Sequence, residues 1–450
     1  MTFPSYPKYK ASGFIWLGDV PEHWVLKRLG RYFDERRERA SDTEFEPLSV
    51  TKLGIVPRLE SAAKTQDGDN RKKVLAGDFV INSRSDRKGS SGLSPLDGSV
   101  SLICTVLIPT GLHGPFIHHL LRSELFQEEY YRWGKGIVAD LWSTNFSDMK
   151  NIVLGVPPEA EQTQIARFLD HETARIDALI EEQQRLIELL KEKRQAVISH
   201  AVTIGLDPTV SMKDSGVEWL GEVPVHWEIK RLKQLVIDAT GIQMGPFGGM
   251  LLELDESDTG YKVYGQENTI SGDFSSGNRW ISEQRYFALS NYHLEVGDIV
   301  LTRKGSLGNC RRVSFLPQAG IIDSDTIRVR AQEQMMSPDY LELLLHEAGY
   351  ISTQLGLVKR GAILSGLNSE IIANLVIIAP PRKEQEELLR EIKAVASRFD
   401  QGISDCEYAV RLLRERRPAL ISAAVTGKID VRGWQPPASA PIPEFTLEAV

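Results

Sequence analysis

The sequence holds only three cysteines, Cys104, Cys310 and Cys406, odd in number and far apart. That pattern excludes a disulfide framework and a zinc cluster and fits buried thiols in a reducing compartment. No apolar run approaches the ~20 residues needed to cross a bilayer. The opening MTFPSYPKYKASG lacks the apolar core of a signal peptide. A cytoplasmic protein is expected. A basic excess is missing too: the formal net charge is −8. Residues 25–150 carry 19 Lys and Arg against 17 Asp and Glu, and residues 228–375 carry 14 against 18. A role in reading nucleic acid would have to rest on local basic clusters.

What is present is a long internal repeat. SGFIWLGDVPEHWVLKRL (12–29) recurs as SGVEWLGEVPVHWEIKRL (215–232), matching Trp16 with Trp219, Gly18 with Gly221, Pro21 with Pro224 and Trp24 with Trp227. PPEAEQTQIARFLD (157–170) recurs as PPRKEQEELLREIK (380–393), and each copy opens a long helical pattern that ends in AVISHAVT (196–203) or ALISAAVT (419–426). Between the matched pieces the halves differ almost completely. The offset between copies grows from 203 at the Trp pairs to 223 at the Pro-Pro pairs, so the second variable region is longer by 20 residues. Self-similarity on this scale fixes the architecture: one framework, used twice, carries two different inserts.

Each variable region mixes short strand-like runs with Gly/Ser/Asp turns and ends in a helical pattern. Gly77-Asp78-Phe79-Val80-Ile81 and Gly297-Asp298-Ile299-Val300-Leu301 both place a Gly-Asp turn before an apolar strand, followed by a basic Gly-rich loop. The long helices carry apolar residues at alternating three- and four-residue steps, a coiled-coil stripe. Ile165, Leu169, Ile176, Leu179, Leu186 and Leu190 form the first seam, and Leu388, Ile392, Phe399, Leu413 and Leu420 the second. A stripe on a helix of about 40 residues, some 60 Å long, needs a partner, and two copies in one chain supply it. Antiparallel packing is expected, because the first helix must hand the chain to the second globular domain at its far end. The expected fold is an α/β (α+β) two-domain repeat, two globular domains separated by two long antiparallel coiled-coil helices with pseudo-two-fold symmetry. Its boundaries are 1–156 and 209–379 for the domains, 157–208 and 380–430 for the helices, and 431–450 for a loose Pro-rich tail.

Motifs for self-sufficient chemistry are not found. The Pro-Pro pairs follow Val156, Ala379 and Gln435, so none forms the Asn/Asp-Pro-Pro-aromatic set that holds a flipped adenine. GPFGG (245–249) lacks the spacing of a dinucleotide loop, and no Walker loop occurs. Asp214 with Glu228-Ile229-Lys230 has the form of a metal-nuclease set. The other copy reads Val25-Leu26-Lys27, so the acid is not tied to the framework. His23 and His226 have no second ligand at metal spacing and read as structural turn histidines. No catalytic residue and no metal ligand is assigned.

Basic residues in loops are the positive signal. The first variable region offers Arg71, Lys72, Lys73, Arg84, Arg87, Lys88 and Lys135, and the second Arg303, Lys304, Arg311, Arg312, Lys359 and Arg360. Arg and Lys in Gly/Ser loops neutralise phosphates and reach guanine edges.

The repeated SG-x-x-WLG-x-VP-x-HW-x-x-KRL segment, the paired PP-x-x-EQ helix entries and the alternation of shared with variable regions resemble the specificity subunits of type I restriction–modification systems. The likeness runs from about residue 10 to 430. It implies a non-catalytic, DNA-binding subunit in which each variable region is a target recognition domain for one half of a bipartite sequence. It also implies that the helices set the spacing and dock two modification (methyltransferase) subunits, with restriction (endonuclease/translocase) subunits joining. No cofactor is expected in this chain; S-adenosylmethionine, ATP and Mg are expected on the partner subunits. The rival reading is a two-headed structural adaptor that binds proteins and not DNA.

Overall fold

The computed structural model describes residues 3–59, 68–136, 142–247, 250, 260–303, 309–361 and 366–436. The chain divides into two compact units, Met1–Gln184 with Tyr408–Val450, and Arg185–Glu407. Each unit therefore holds one variable region, the opening of one long helix and the close of the other.

The repeated segments build the same local structure in both units. In the first, Tyr9–Ala11 pairs antiparallel with Asp19–Pro21, and Val25–Arg28 pairs with Val153–Val156. In the second, Met212–Asp214 pairs with Glu222–Pro224, and Glu228–Arg231 with Val376–Ala379. Proline ends the short strand and turns the chain, which drops Trp24 and Trp227 fully into the two cores. Lys10 Nζ donates to the carbonyls of Glu22 and Trp24, and Lys213 Nζ to those of Val225 and Trp227.

The helix-entry Glu-Gln pair closes this frame. Glu161, buried, accepts the Trp24 indole N–H (2.7 Å) and the Tyr6 hydroxyl (2.5 Å) and meets His23 Nε2 at 2.7 Å. Burial, with that carboxylate as acceptor, holds the Tyr6 hydroxyl far above its ordinary pKa, so it stays a donor. Gln162 donates to the Pro157 carbonyl and accepts the His113 N–H, just before the helix Gly114–Arg122. Gln385 repeats this, donating to Pro380 O and accepting the Ser337 N–H before the helix Pro338–Glu347. Glu384 keeps His226 (2.8 Å), and among the described residues the buried Trp227 indole N–H has no hydrogen-bond partner.

The variable regions share a four-stranded antiparallel sheet. Its order is Ser91–Leu93, Phe79–Asn82, Cys104–Pro109, Phe33–Glu35 in the first unit, and Cys310–Arg312, Ile299–Thr302, Thr326–Val329, Ile242–Met244 in the second. The Gly-Asp turns open the second strand of each: Asp78 caps Leu75 N–H and takes Arg36 bidentately, while Asp298 caps Glu295 N–H and takes Arg330. The units differ beyond this sheet. The first adds the hairpin Leu48–Thr51/Gly54–Pro57 and a three-stranded sheet. The second adds a four-stranded sheet in which Tyr261–Tyr264 runs parallel to Gly320–Ile322.

The long helices span Glu159–Ile204 and Arg382–Val425. In the first unit Ile165, Leu169 and Ile176 share a core with Leu420, Ala424 and Val425, and Arg417 grips Asp177 at 2.8 and 3.0 Å. In the second, Ile198, Ala201 and Val202 share a core with Leu388 and Ile392, and Arg194 bridges Asp400 (2.8 Å) and Glu347 (2.8 and 3.1 Å). The start of one helix thus lies beside the end of the other in both units, the antiparallel pairing expected. The seam itself needs correction. Leu186 is 41% exposed and Ile187 is the buried residue, while Leu179 and Leu190 are half-buried. A straight helix drifts ~20° per heptad from a 3.5-residue repeat, so the buried stripe slips by one position after Ile176. In the second helix Phe399 and Leu413 are half-buried, and Cys406 and Val410 carry the stripe between them.

Each helix ends on a left-handed glycine, Gly205 (φ 89°) or Gly427 (φ 73°), which lets the chain turn against the framework Trp. A Cβ would lie 3.4 Å from the Trp227 ring at Gly205 and 3.2 Å from the Trp24 ring at Gly427. Past Gly427 the chain stays attached: Val431 is buried and Gln164 donates to Val431 O and Trp434 O. The rest of the Pro-rich stretch, 437–450, lies outside the described residues. Among the described residues no helix is long and apolar enough to cross a membrane.

Two measurements check this account. Glu161→Ala orphans two buried donors and is expected to cost about 2–4 kcal/mol in denaturant unfolding. Glu384→Ala, which loses one half-exposed pair, is expected to cost under about 1 kcal/mol. The hydrogen bond from His346, then Arg194, pulls the Glu347 carboxyl down to about 2 against the opposing effect of burial. Its contribution is therefore complete above the unfolded value of 4.5 and lost as pH falls toward 2. Stability measured between those pH values should fall less steeply for Glu347→Gln than for the parent chain.

Candidate nucleic-acid interface

The basic residues singled out in the sequence sort into three groups. Arg71, Lys72 and Lys73 form the strand Arg71–Val74, and their side chains serve the fold. Arg71 is 6% exposed, with Nε on Ser99 Oγ at 2.8 Å and Nη2 on Ser99 O at 3.0 Å. Lys72 Nζ donates to Cys104 O, and Lys73 pairs with Glu38. The expectation that Arg71 is an interface residue is corrected here: its side chain lies instead across the neighbouring strand on Ser99, where burial lowers its guanidinium pKa.

Arg84, Arg87, Lys88 and Lys135 are brought together. The first three lie on the connection between Phe79–Asn82 and Ser91–Leu93, around the single turn Ser85–Arg87. Ser143 bridges both Arg84 and Lys135, and Ser85 N–H donates to Trp142 O. Every cation here has a carboxylate neighbour: Asp86 for Arg84 (4.0 Å) and Arg87 (3.7 Å), Glu128 for Lys88, and Asp148 for Lys135 (2.6 Å). Such exposed pairs are worth only about 0–1 kcal/mol, so a phosphate can displace the carboxylate at little cost.

The same surface includes residues the sequence did not mark. The hairpin tip Lys52-Leu53 is exposed, and Arg122 Nη2 donates to Lys52 O at 2.6 Å. Arg122 Nη1 also donates to His118 Nε2 (2.6 Å). Burial, then Arg122, hold His118 down to about 4, so the ring is a neutral acceptor at physiological pH. A Cβ on Gly89 would lie 3.8 Å from Lys52 Cγ, which places the tip beside Arg87 and Lys88. Trp142 is 38% exposed. No periodicity or turn motif ties residue 52 to residue 88; the contact is tertiary.

In the second unit Arg303 lies over the Phe247 ring (4.8 Å) and donates to Leu367 O and Ser324 O. Arg311 and Arg312 are half-buried on Cys310–Arg312, and Arg312 meets Asp339 at 3.5 Å. Lys304 lies outside the described residues. Lys359 and Arg360 fall in the last turn of Gly349–Gly361, with side chains outside the described set. Glu228, the acid of the nuclease-like set, pairs with Lys230 at 2.5 Å.

Fold and surface together define a protein with one framework used twice and two unlike heads. No family model matches the chain. It is 24% identical over 408 residues to the type I restriction enzyme EcoKI specificity subunit of Escherichia coli K12, covering 88% of this chain and 82% of that one. To the StySPI specificity subunit of Salmonella potsdam it is 23% identical over 415 residues, with the same coverage. Its fold matches that of the HsdS subunit from Thermoanaerobacter tengcongensis with a TM-score of 0.58 at 17% identity, covering 91% of this chain and 98% of that one. A chain from a type I R-M system, solved for its complex assembly and conformational transition, gives 0.68 at 16% identity, with 90% and 98% covered. The resemblance to type I specificity subunits read from the repeated segments therefore holds across both halves of the chain.

The two kinds of arginine separate by stability. Arg71→Ala is expected to cost about 1–3 kcal/mol in urea unfolding, since it strips a buried cross-strand tie. Arg87→Ala should stay within about 0.5 kcal/mol.

Proposed function

We propose that this chain is the non-catalytic, DNA-reading specificity subunit of a cytoplasmic type I restriction–modification complex. Each unit reads one half of a bipartite duplex target. The two long helices set the gap between the halves and dock two modification subunits, and restriction subunits complete the assembly. S-adenosylmethionine, ATP and Mg belong to those partners. The observation that carries the reading is the doubled Glu-Gln clamp: the same glutamine bonds and the same His-Glu pair recur at two heads whose sheets beyond the shared one differ. Asymmetric targets need two unlike readers on one frame, and a symmetric frame offers the same docking surface twice. The Arg84, Arg87, Lys88 and Lys135 cluster supports DNA over a protein partner, because exposed, weakly paired cations exchange readily onto phosphates.

The test is a genome-wide N6-methyladenine map in cells expressing this chain with its modification subunit, against cells lacking this chain. A new split motif is expected, one half of which changes when residues 34–150 are exchanged for another variable region. Arg87→Glu with Lys88→Glu should erase methylation at that motif. A stable complex that writes no new motif would favour the adaptor reading.

A further inference from the structure

Single exposed apolar residues are ordinary on protein surfaces; the setting of Leu53 is not. It is 89% exposed at the tip of the hairpin Leu48–Thr51/Gly54–Pro57. The tip is fixed at three points. Thr51 Oγ1 accepts Leu53 N–H and donates to Gly54 O, Gly54 takes a left-handed φ of 125°, and Arg122 holds the Lys52 carbonyl. The hairpin packs so closely on Ser91–Leu93 that a Cβ on Gly92 would lie 3.1 Å from Gly54 Cα. That contact sets the tip next to the loop carrying Arg87 and Lys88. A rigid two-stranded ribbon therefore displays one aliphatic side chain, flanked by Lys52 and the basic loop. A two-stranded ribbon fits the major groove, where the only apolar feature of a base edge is the thymine C5-methyl group.

We infer that Leu53 is a sequence-determining contact of the first unit, packing on a thymine methyl in its half-site while Lys52, Arg87 and Lys88 take the adjacent phosphates. This rests on the DNA-reading function proposed above. The ordered tip means that little conformational entropy is lost on contact, and burying a methyl group is worth about a four- to tenfold change in affinity.

The test uses the full chain with its modification subunits and duplexes carrying the methylated motif. Each thymine of the half-site that depends on residues 34–150 is replaced in turn by deoxyuridine, which lacks only the methyl. One replacement should weaken binding of the parent chain about four- to tenfold. The same replacement should leave Leu53→Ala, already weakened by a similar factor, unchanged. Leu96→Ala, another exposed leucine of the same unit, should behave as the parent. A half-site without thymine, or deoxyuridine effects that persist undiminished in Leu53→Ala, would overturn the inference. So would a Leu53→Ala loss that is equal on target and unrelated duplexes, the signature of a wedge that reads no base. If the parent complex itself shows no preference for any duplex, the DNA-reading proposal fails and takes this one with it.

Discussion

The structure depends on a carboxylate and an amide at adjacent positions at the start of each long helix. Glu161 gathers the Trp24, Tyr6 and His23 side chains of the framework turn, and Gln162 ties the helix entry to the segment that opens Gly114–Arg122. Consecutive residues on a helix point about 100° apart, so two neighbours reach two different parts of one domain. The helix is thereby fixed in direction as it leaves the globular head. Gln385 does the same in the second unit through Ser337, but Glu384 holds one histidine and, among the described residues, the Trp227 indole has no hydrogen-bond partner. The two anchors share a plan and differ in strength.

The far end of each helix returns to the same turn in the other copy. Gly205 ends the first helix against Trp227, and Gly427 ends the second against Trp24. Each framework tryptophan is therefore covered by the end of one helix while its neighbours hold the start of the other. Within the second unit Arg194 adds a charged tie from the first helix to both Asp400 and Glu347. This economy frees the variable regions: with the frame anchored by shared residues, the strands, hairpin and loops of the heads can change without loosening it. The function proposed above calls for that separation.

On the first head, the basic cluster is made of side chains held in weak surface pairs on a firmly held backbone. Ser143 and Trp142 tie the loop bearing Arg84 to the loop bearing Lys135, and Arg122 ties the hairpin tip to the adjacent helix. Fixed backbone with exchangeable cations suits the DNA-reading role proposed above.

The sequence by itself determined the doubled framework, the long helices and the shared Gly-Asp strand entry, because each is written in contiguous motifs or in periodicity, and the antiparallel partnership of the helices, because chain order requires it. It also carried the resemblance to type I specificity subunits, since both copies of the motif are legible in one chain. Only the tertiary structure decided which basic residues face solvent. Arg71 and Arg87 both sit in basic, polar stretches, yet one is buried against Ser99 of a neighbouring strand and a loop exposes the other. It also decided the slip from Leu186 to Ile187, because helical drift accumulates over many turns and a short heptad window does not show it. The nearness of Lys52 and Leu53 to Arg87 was likewise hidden. A hairpin folding onto a neighbouring strand joins residues that no local pattern connects, and packing alone sets that distance.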